Sequence, residues 1–175
     1  MRMMWRAGAA AVLAVIVGHS ASAHVKPGDT APKFTISTFD KQKISSDQLR
    51  GQVVIINRWA TWCGPCKQEL PELDAYYRRH AKDGLRIFAA TTEDSVPDYL
   101  LKPISNLLAF PLAHRVSSSA FDILDAVPTN YVIDRNGVVR YAKAGAFDAE
   151  TLDAIVGPLL AEPVPAATTT VAAIH

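Results

Sequence analysis

Two runs of hydrophobic residues stand out in the pattern of apolar and polar positions along the chain. Val53 to Trp59 and Leu85 to Ala90 are apolar over nearly their whole length, which is typical of strands in a sheet covered on both faces. Between them, apolar side chains recur at spacings of three and four residues from Lys67 to Ala81, which predicts a helix. Gly84 is expected to end this helix. The helical face comprises Leu70, Leu73, Tyr76, Tyr77 and His80.

Shorter patterns predict additional elements on both sides of this unit. Phe34 to Ser37 alternates and predicts a short strand, whereas Ser45 to Leu49 predicts one helical turn. After the second apolar strand, Asp94 or Ser95 is expected to cap a helix that runs toward Leu108. The patterns that follow predict a short edge strand at Phe110 to Ala113 and a short helix from Ser119 to Leu124.

The final third of the chain predicts a hairpin and one more helix. Thr129 to Asp134 and Val138 to Ala142 are strand patterns joined through Asn136-Gly137, a strong hairpin signal. Asp148 is expected to cap a helix that continues to Leu160. Strands joined through helices pair in parallel, and the hairpin adds antiparallel strands. The predicted fold class is therefore α/β, a mixed central sheet with helices on both faces.

The first 23 residues have the pattern of a secretory signal peptide. Arg2 and Arg6 are followed by a 12-residue apolar run, Ala7 to Gly18, and by the small-x-small site Ala21-Ser22-Ala23. We expect cleavage after Ala23. The apolar run is shorter than the roughly 20 residues that span a bilayer, although an uncleaved membrane anchor remains the alternative.

Cleavage leaves a chain that starts at His24, and its charge is close to neutral. Loss of Arg2 and Arg6 from the 18 basic residues leaves 16, against 17 acidic ones, so no nucleic-acid-binding face is predicted. Residues 24–161 suffice for one domain, and the Pro-, Ala- and Thr-rich residues 162–175 are expected to be a disordered tail. We expect a periplasmic monomer.

The chemistry of the chain is expected at its only two cysteines, Cys63 and Cys66. They lie two residues apart, after an apolar strand and at the start of a predicted helix, which is the layout of a dithiol/disulfide catalyst. A structural staple is disfavoured because so short a loop constrains the unfolded chain little. Structural zinc needs four ligands, so no metal and no cofactor besides the redox-active disulfide is expected. A Cu(I) carrier remains an open alternative because thiolates suit that ion.

Several motifs, taken together, carry a resemblance to one family. They are Pro27-Gly28-Asp29-x-Ala31-Pro32-x-Phe34, Trp59-Ala60-Thr61-Trp62-Cys63-Gly64-Pro65-Cys66, Glu93, Val127-Pro128-Thr129 and Gly145. With these motifs the chain resembles the exported TlpA/ResA/DsbE-type thioredoxin-like proteins from about Val25 to Leu160. The resemblance implies a thioredoxin-like fold and an extracytoplasmic thiol–disulfide oxidoreductase. It also implies that the clients are proteins with cysteine pairs, such as apocytochrome c or copper-site proteins, whose disulfides are reduced.

The two cysteines are expected to have different roles. Cys63 lies where the helix begins, so unpaired backbone N–H groups and the helix dipole favour its thiolate and lower its pKa below the free value of about 8.5. Cys66, one turn inside the helix, would resolve the mixed disulfide. Gly64 and Pro65 set the turn between them, and Trp62 is expected to cover the disulfide and contact the client. With no further cysteine in the chain, electrons must come from a separate partner, expected to be a membrane dithiol donor.

Two more residues enter through the resemblance. Pro128 is expected to be cis and to face the cysteine pair, so that the backbone around Val127 and Thr129 pairs with an incoming client segment; an ordinary trans proline is the alternative. Glu93 is expected to have a raised pKa and to accept the proton of Cys66, whereas a solvated turn or helix cap is the bland alternative. Asn57 stands where cytoplasmic thioredoxins have a buried Asp, and an amide takes up no proton.

Two related activities fit the pattern less well. A protein disulfide oxidant usually carries a hydrogen-bond donor such as His between its cysteines, and this chain has Gly64-Pro65 there. A peroxiredoxin needs Pro-x-x-x-Thr-x-x-Cys, but Thr61 lies only two residues before Cys63. The reductant of client disulfides is therefore favoured, while the oxidant and the copper carrier stay open.

Overall fold

Over residues 24–93 and 96–165, which the computed structural model describes, the chain forms one seven-stranded mixed sheet and three α-helices. The strand order is β2-β1-β5-β4-β3-β6-β7. β3, β4 and β5 are parallel, and the other neighbouring pairs are antiparallel. The elements are β1 Thr35–Thr38, β2 Lys43–Ser45, β3 Val53–Trp59, α1 Gly64–His80, β4 Leu85–Thr91, α2 Asp98–Leu107, β5 Leu112–Val116, β6 Thr129–Ile133, β7 Val139–Ala144 and α3 Ala149–Ala161.

The side chains of β3 alternate between two cores. Val53 and Ile55 belong to a cluster that also holds the buried hydrophobic residues of all three α-helices. Val54 and Ile56 point to the opposite face, where they join a second cluster that contains Leu49 and Phe121 from two short 3₁₀ turns. The predicted mixed sheet is confirmed, and both faces carry helical segments, but these differ in kind: α-helices on one face and 3₁₀ turns on the other.

Three of the predicted elements differ from the structure. The strand expected at Phe110 to Ala113 is β5, and it lies between β1 and β4 rather than at an edge, because the β1–β2 hairpin continues the sheet beyond it. The short helix expected to reach Leu124 is only a 3₁₀ turn, Ser119–Phe121.

The third difference is the start of α2. The helix begins at Asp98 with Pro97 in the N-cap position, so the expected capping by Asp94 or Ser95 is wrong. Proline suits this boundary because it lacks the backbone N–H that a helix interior requires. Residues 94 and 95 themselves lie outside the described residues.

The predicted domain boundaries remain predictions. Residues 1–23, expected to be a signal peptide, lie outside the described residues, as do residues 166–175 of the expected tail. Of the tail, only residues 162–165 are described, and they have no helix or strand. None of the described helices is long and apolar enough to cross a membrane.

Candidate active site

β3 delivers the two cysteines to the first turn of α1. The chain turns after Trp59, and the backbone N–H of Cys63 donates to the carbonyl of Ala60 at 3.2 Å. Cys63 is the N-cap of α1, with Gly64 and Pro65 as the first helical residues. Its Sγ accepts a hydrogen bond from the backbone N–H of Cys66 at 3.1 Å. The two cysteines form a disulfide. Because Cys63 is the N-cap, its sulfur lies where the unpaired N–H groups of the first helical turn favour negative charge.

The disulfide is enclosed by protein on one side and bordered by exposed residues on the other. Cys63 is 3% exposed and Cys66 is fully buried. Gly64 and Pro65 are exposed, and Trp62 is 70% exposed. An apolar ring at this exposure is available to a partner, and its contact with a client stays a prediction.

The loop before β6 packs directly against the nucleophile position. The carbonyl oxygen of Val127 lies 3.5 Å from Cys63 Sγ. The Val127–Pro128 peptide bond is cis, which confirms that expectation. The carbonyl of Pro128 accepts a hydrogen bond from the Gly145 N–H at 2.8 Å, so the loop is tied to the segment that follows β7.

Thr129 supports this loop from inside the molecule. It is fully buried, its backbone lies in β6 between β3 and β7, and its hydroxyl donates to the carbonyl of Ala126 at 2.6 Å. Its side chain is therefore not accessible to a client in this structure. Of the two residues that flank Pro128, Val127 is the accessible one, because it is half-buried and its carbonyl borders the Cys63 sulfur.

Glu93 lies beside the segment that leads into Cys63. One carboxylate oxygen accepts a hydrogen bond from the Thr61 backbone N–H at 2.6 Å, and the other accepts one from the Thr61 hydroxyl at 3.1 Å. The residue is half-buried. It therefore holds the chain two residues before Cys63, and its role in proton transfer stays a prediction.

A second carboxylate, Glu69, lies deeper in the protein. It is 1% exposed on α1, three residues after Cys66, and this spacing places both side chains on one helix face. Asn57 Nδ2 donates to Glu69 Oε2 at 2.8 Å, and Asn130 Nδ2 donates to Oε1 at 2.5 Å. The backbone N–H of Phe147 donates to Oε1 at 2.7 Å. Three donors, from β3, from β6 and from the segment between β7 and α3, thus converge on one buried acid.

Burial and hydrogen bonding act on Glu69 in opposite directions. Desolvation raises the pKa of its carboxyl above the usual 4.5, while the hydrogen bonds from Phe147, Asn130 and Asn57 lower it. Burial is the largest effect, so the pKa is raised overall. The Glu69 charge also contributes to a raised pKa of Tyr141, although burial of that phenol is the larger cause. A carboxyl whose pKa is raised in this way accepts a proton more readily than an exposed one, which suits proton transfer.

Sequence reasoning did not select Glu69 or Asn130. Two signals were present. Position 69 belongs to the apolar stripe of α1 beside Leu70 and Leu73, where a charged residue is unusual. Asn57 interrupts an apolar strand, and a buried amide requires hydrogen-bond partners. Neither signal indicates which elements supply the partners.

Among the described residues, no group of three or more His, Cys, Asp and Glu side chains is placed to hold a metal ion. The sulfurs of Cys63 and Cys66 and the carboxylates of Glu69 and Glu93 are the reactive groups gathered at this end of β3 and α1. They support thiol–disulfide exchange with an acid nearby.

Comparison with known proteins agrees with this chemistry. A profile described as the AhpC/TSA family matches residues 27–142, about two thirds of the chain. This chain belongs to the AhpC/TSA family. Thiol-disulfide oxidoreductase ResA of Oceanobacillus iheyensis is 31% identical over 140 residues, which cover 75% of this chain and 70% of ResA. The chain is thus a thioredoxin-like thiol–disulfide oxidoreductase of the ResA type.

Solved structures show the same fold. A thioredoxin-family thiol:disulfide interchange protein from Chlorobium tepidum superposes with a TM-score of 0.62 and 27% identity, covering 79% of this chain and 99% of that one. StoA from Bacillus subtilis superposes with a TM-score of 0.55 and 25% identity, covering 74% and 99%. The thioredoxin-like fold expected from the motifs is therefore confirmed.

Proposed function

We propose that this oxidoreductase is an exported reductant of client-protein disulfides. The observation that carries the proposal is the position of Cys63 Sγ, at the N-terminus of α1 and 3.5 Å from the Val127 carbonyl oxygen. There the helix favours a thiolate, and the neighbouring cis-proline loop offers backbone to an incoming segment. Apocytochrome c and copper-site proteins are the proposed clients.

The reaction proceeds by two exchanges. In the reduced protein, the Cys63 thiolate attacks one sulfur of the client disulfide, forming a Cys63–client bond and releasing the other client sulfur as a thiolate. Cys66 then loses its thiol proton and attacks Cys63 Sγ. The Cys63–Cys66 disulfide forms, and the second client sulfur departs as a thiolate with the bonding electron pair. The client gains two electrons and the protein loses two.

Deprotonation of Cys66 needs a nearby base. Glu69 lies one helical turn further along α1 on the same buried face, so we propose it as the immediate proton acceptor. Glu93 is partly exposed and can exchange protons with bulk water, so we propose it as a second proton carrier on the Thr61 side. Glu69 thus lies on the helix that follows Cys66, and Glu93 lies against Thr61, in the segment that precedes Cys63.

The client is proposed to bind across Trp62, Gly64, Pro65 and Val127, which form the accessible border of the disulfide. Reduction of the protein itself requires an external dithiol, because Cys63 and Cys66 are the only cysteines in the chain. A membrane dithiol protein is the proposed donor, and the protein is proposed to act as a periplasmic monomer.

The reduction potential of the Cys63–Cys66 pair tests the direction of the reaction. The exported protein would be equilibrated with a dithiothreitol or glutathione series, and its redox state followed by the fluorescence of the neighbouring tryptophans. A potential near or below about −270 mV, the value of thioredoxin, supports the reductant. A potential near −120 mV would identify a disulfide-forming oxidant instead.

The copper-carrier alternative has a separate test. Cu(I) would be titrated into the reduced protein and into Cys63→Ala. Stoichiometric, tight binding that requires Cys63, together with no turnover of a disulfide peptide, would favour the carrier. We expect disulfide turnover by the reduced protein and no such binding.

Export is tested on the protein recovered from the periplasm of the cell that makes it. N-terminal sequencing is expected to begin at His24, since cleavage is proposed after Ala23. A chain that keeps Arg2 and remains in the membrane fraction would identify an uncleaved anchor.

A further inference from the structure

Asn130 connects the loop at the disulfide to the buried acid. It lies in β6, two residues after cis-Pro128, and pairs with Asn57 across the β3–β6 ladder. The residue is fully buried. Its Nδ2 donates to Glu69 Oε1 at 2.5 Å and to the Gly145 carbonyl at 3.0 Å, and its Oδ1 accepts from Asn57 Nδ2 at 2.8 Å.

These contacts use both donors of the Asn130 amide. One N–H binds the carboxylate and the other binds a backbone carbonyl, while the amide oxygen orients Asn57, which itself donates to the other oxygen of Glu69. Asn130 therefore acts on both oxygens of Glu69, one directly and one through Asn57. An uncharged donor suits this position, because a second carboxylate would repel the first.

The same residue is tied to the client side of the site. The Gly145 N–H donates to the Pro128 carbonyl, and the Gly145 carbonyl accepts from Asn130. The cis-proline loop, Gly145, Asn130 and Glu69 thus form a continuous hydrogen-bonded chain from the sulfur-facing loop to the acid. The Val127 carbonyl at 3.5 Å from Cys63 Sγ is the outer end of this chain.

We propose that Asn130 is a positioning residue for thiol–disulfide exchange, which holds the Glu69 carboxyl group fixed on the same buried face of α1 as Cys66 and links it to the cis-proline loop. This inference rests on the proposed function, in which Glu69 receives the Cys66 proton. The titratable groups near Glu69 are the Cys66 thiol on α1 and the Tyr141 phenol on β7. The remaining partners, Asn57, Asn130 and the Phe147 N–H, carry no charge.

The first test measures Glu69 directly and does not require activity. The carboxyl carbon of Glu69 would be titrated by NMR in the oxidised full-length mature protein, labelled with ¹³C-glutamate and assigned with Glu69→Gln. Asn130→Ala removes one hydrogen bond to a buried carboxylate, so the titration midpoint is expected to rise by about one pH unit. Asn136→Ala, an exposed asparagine in the β6–β7 turn, is the matched control and should leave the midpoint unchanged. An Asn130→Ala midpoint equal to that of wild type overturns the proposal.

The second test measures the step that Glu69 is proposed to serve. A mixed disulfide between Cys63 and a client peptide would be mixed rapidly to a series of pH values, and peptide release followed. Asn130→Ala is expected to shift the rate profile to higher pH by the same interval as the NMR midpoint. In the Glu69→Gln protein, Asn130→Ala should not shift the pH profile of peptide release any further. A shift there as large as in the wild-type background would show that Asn130 does not act through Glu69, which overturns the proposal.

A misfolded variant and a failure of the proposed function can each be told apart from a failure of this proposal. If Asn130→Ala does not fold, Asn130→Thr retains a hydroxyl donor and strand propensity, and a smaller shift in the same direction is expected; no shift overturns the proposal. If the wild-type protein exchanges with no disulfide peptide, the proposed function fails. The NMR midpoints still decide whether Asn130 controls Glu69.

Discussion

The two sulfurs of the disulfide differ because Cys63 lies at the start of α1 and Cys66 lies inside its first turn. Cys63 is the N-cap, at the border formed by exposed Trp62 and Gly64, whereas Cys66 lies one turn inside and is fully buried. The N–H of Cys66 points at Cys63 Sγ, so charge on that sulfur is stabilised by the helix itself. At the residue scale, this geometry assigns nucleophilic attack to Cys63 and resolution to Cys66.

A first prediction follows for the separate cysteines. Cys66→Ala is expected to accumulate a mixed disulfide with a client peptide, because Cys63 attacks and nothing resolves the product. Cys63→Ala is expected to trap no peptide, since Cys66 is buried. Mass spectrometry under non-reducing conditions measures both. Trapping by Cys63→Ala but not by Cys66→Ala would reverse the assignment.

A second prediction concerns Glu93, whose carboxylate both holds Thr61 and is proposed to carry protons. Glu93→Gln is expected to slow peptide reduction several-fold and to weaken its pH dependence. Thr61→Val removes the hydroxyl contact but keeps the acid, so its rate profile should keep the wild-type pH dependence. If both variants slow the reaction equally and keep the same profile, Glu93 is only a support for the segment before Cys63.

At the scale of elements, α1 organises most of the site. Its first turn holds the disulfide, its second turn supplies Glu69, and its apolar stripe packs on the sheet through Leu70, Leu73 and Tyr76. The helix continues through Pro71 and is followed by a 3₁₀ turn that ends at Gly84, whose φ is +91°. This left-handed conformation returns the chain to β4.

A third prediction compares two glycines that differ in backbone conformation. The backbone of Gly84 is left-handed, and a Cβ added there would lie only 2.8 Å from Arg135 Nη1. For both reasons, Gly84→Ala is expected to destabilise the protein by about 1–2 kcal/mol. Gly157 lies within α3, where a Cβ would lie 3.9 Å from the Tyr76 hydroxyl oxygen, an ordinary van der Waals contact. Gly157→Ala is therefore expected to change stability much less than Gly84→Ala, because the gain in helix propensity is offset by crowding of the new Cβ against the Pro158 ring. Chemical denaturation measures both, and equal effects would contradict the conformational argument.

At the scale of the whole molecule, the two ends of the central strands are built differently. At the end opposite the disulfide, the buried Arg135 guanidinium donates to the carbonyls of Gly51, Asp83 and Leu160 and so joins three distant segments. At the end with the disulfide, side chains from β3 and β6 donate to Glu69, whose burial raises the pKa of its carboxyl. A structural cation and the candidate acid of the site thus lie toward opposite ends of the same strands.

A fourth prediction is the pH dependence of stability that Glu69 imposes. Its pKa is raised in the folded protein, so the native state binds more protons than the unfolded state above about pH 4.5. The contribution of Glu69 to stability is present at low pH and is lost as pH rises through the native pKa, by up to about 1.4 kcal/mol per pH unit. Denaturation of wild type and Glu69→Gln across pH measures this difference. Glu72→Gln, an exposed glutamate one turn later, is the control that should track wild type.

Predictability varied with the physical origin of each feature. The bounds of β3 and the Asp148 N-cap of α3 were predicted because apolar periodicity and capping chemistry are local. The interior position of β5 was not predicted, because it depends on β1 joining the sheet beside it, more than 70 residues earlier in the chain. The start of α2 was predicted wrongly because Asp94 and Ser95 are preferred N-cap residues and lie just before Pro97, which is the N-cap in the structure.

The sequence by itself determined the reactive pair and the strand and helix that hold it, and its motifs indicated the proline loop through the resemblance to the thioredoxin-like family. These depend on short motifs and on residue spacing within one element. Only the tertiary structure decided that Glu69, Asn57 and Asn130 form one buried network, because their side chains come from α1, β3 and β6 and meet through strand pairing and helix packing. A buried charge is tolerated only where distant donors converge on it, and that convergence is a property of the folded chain.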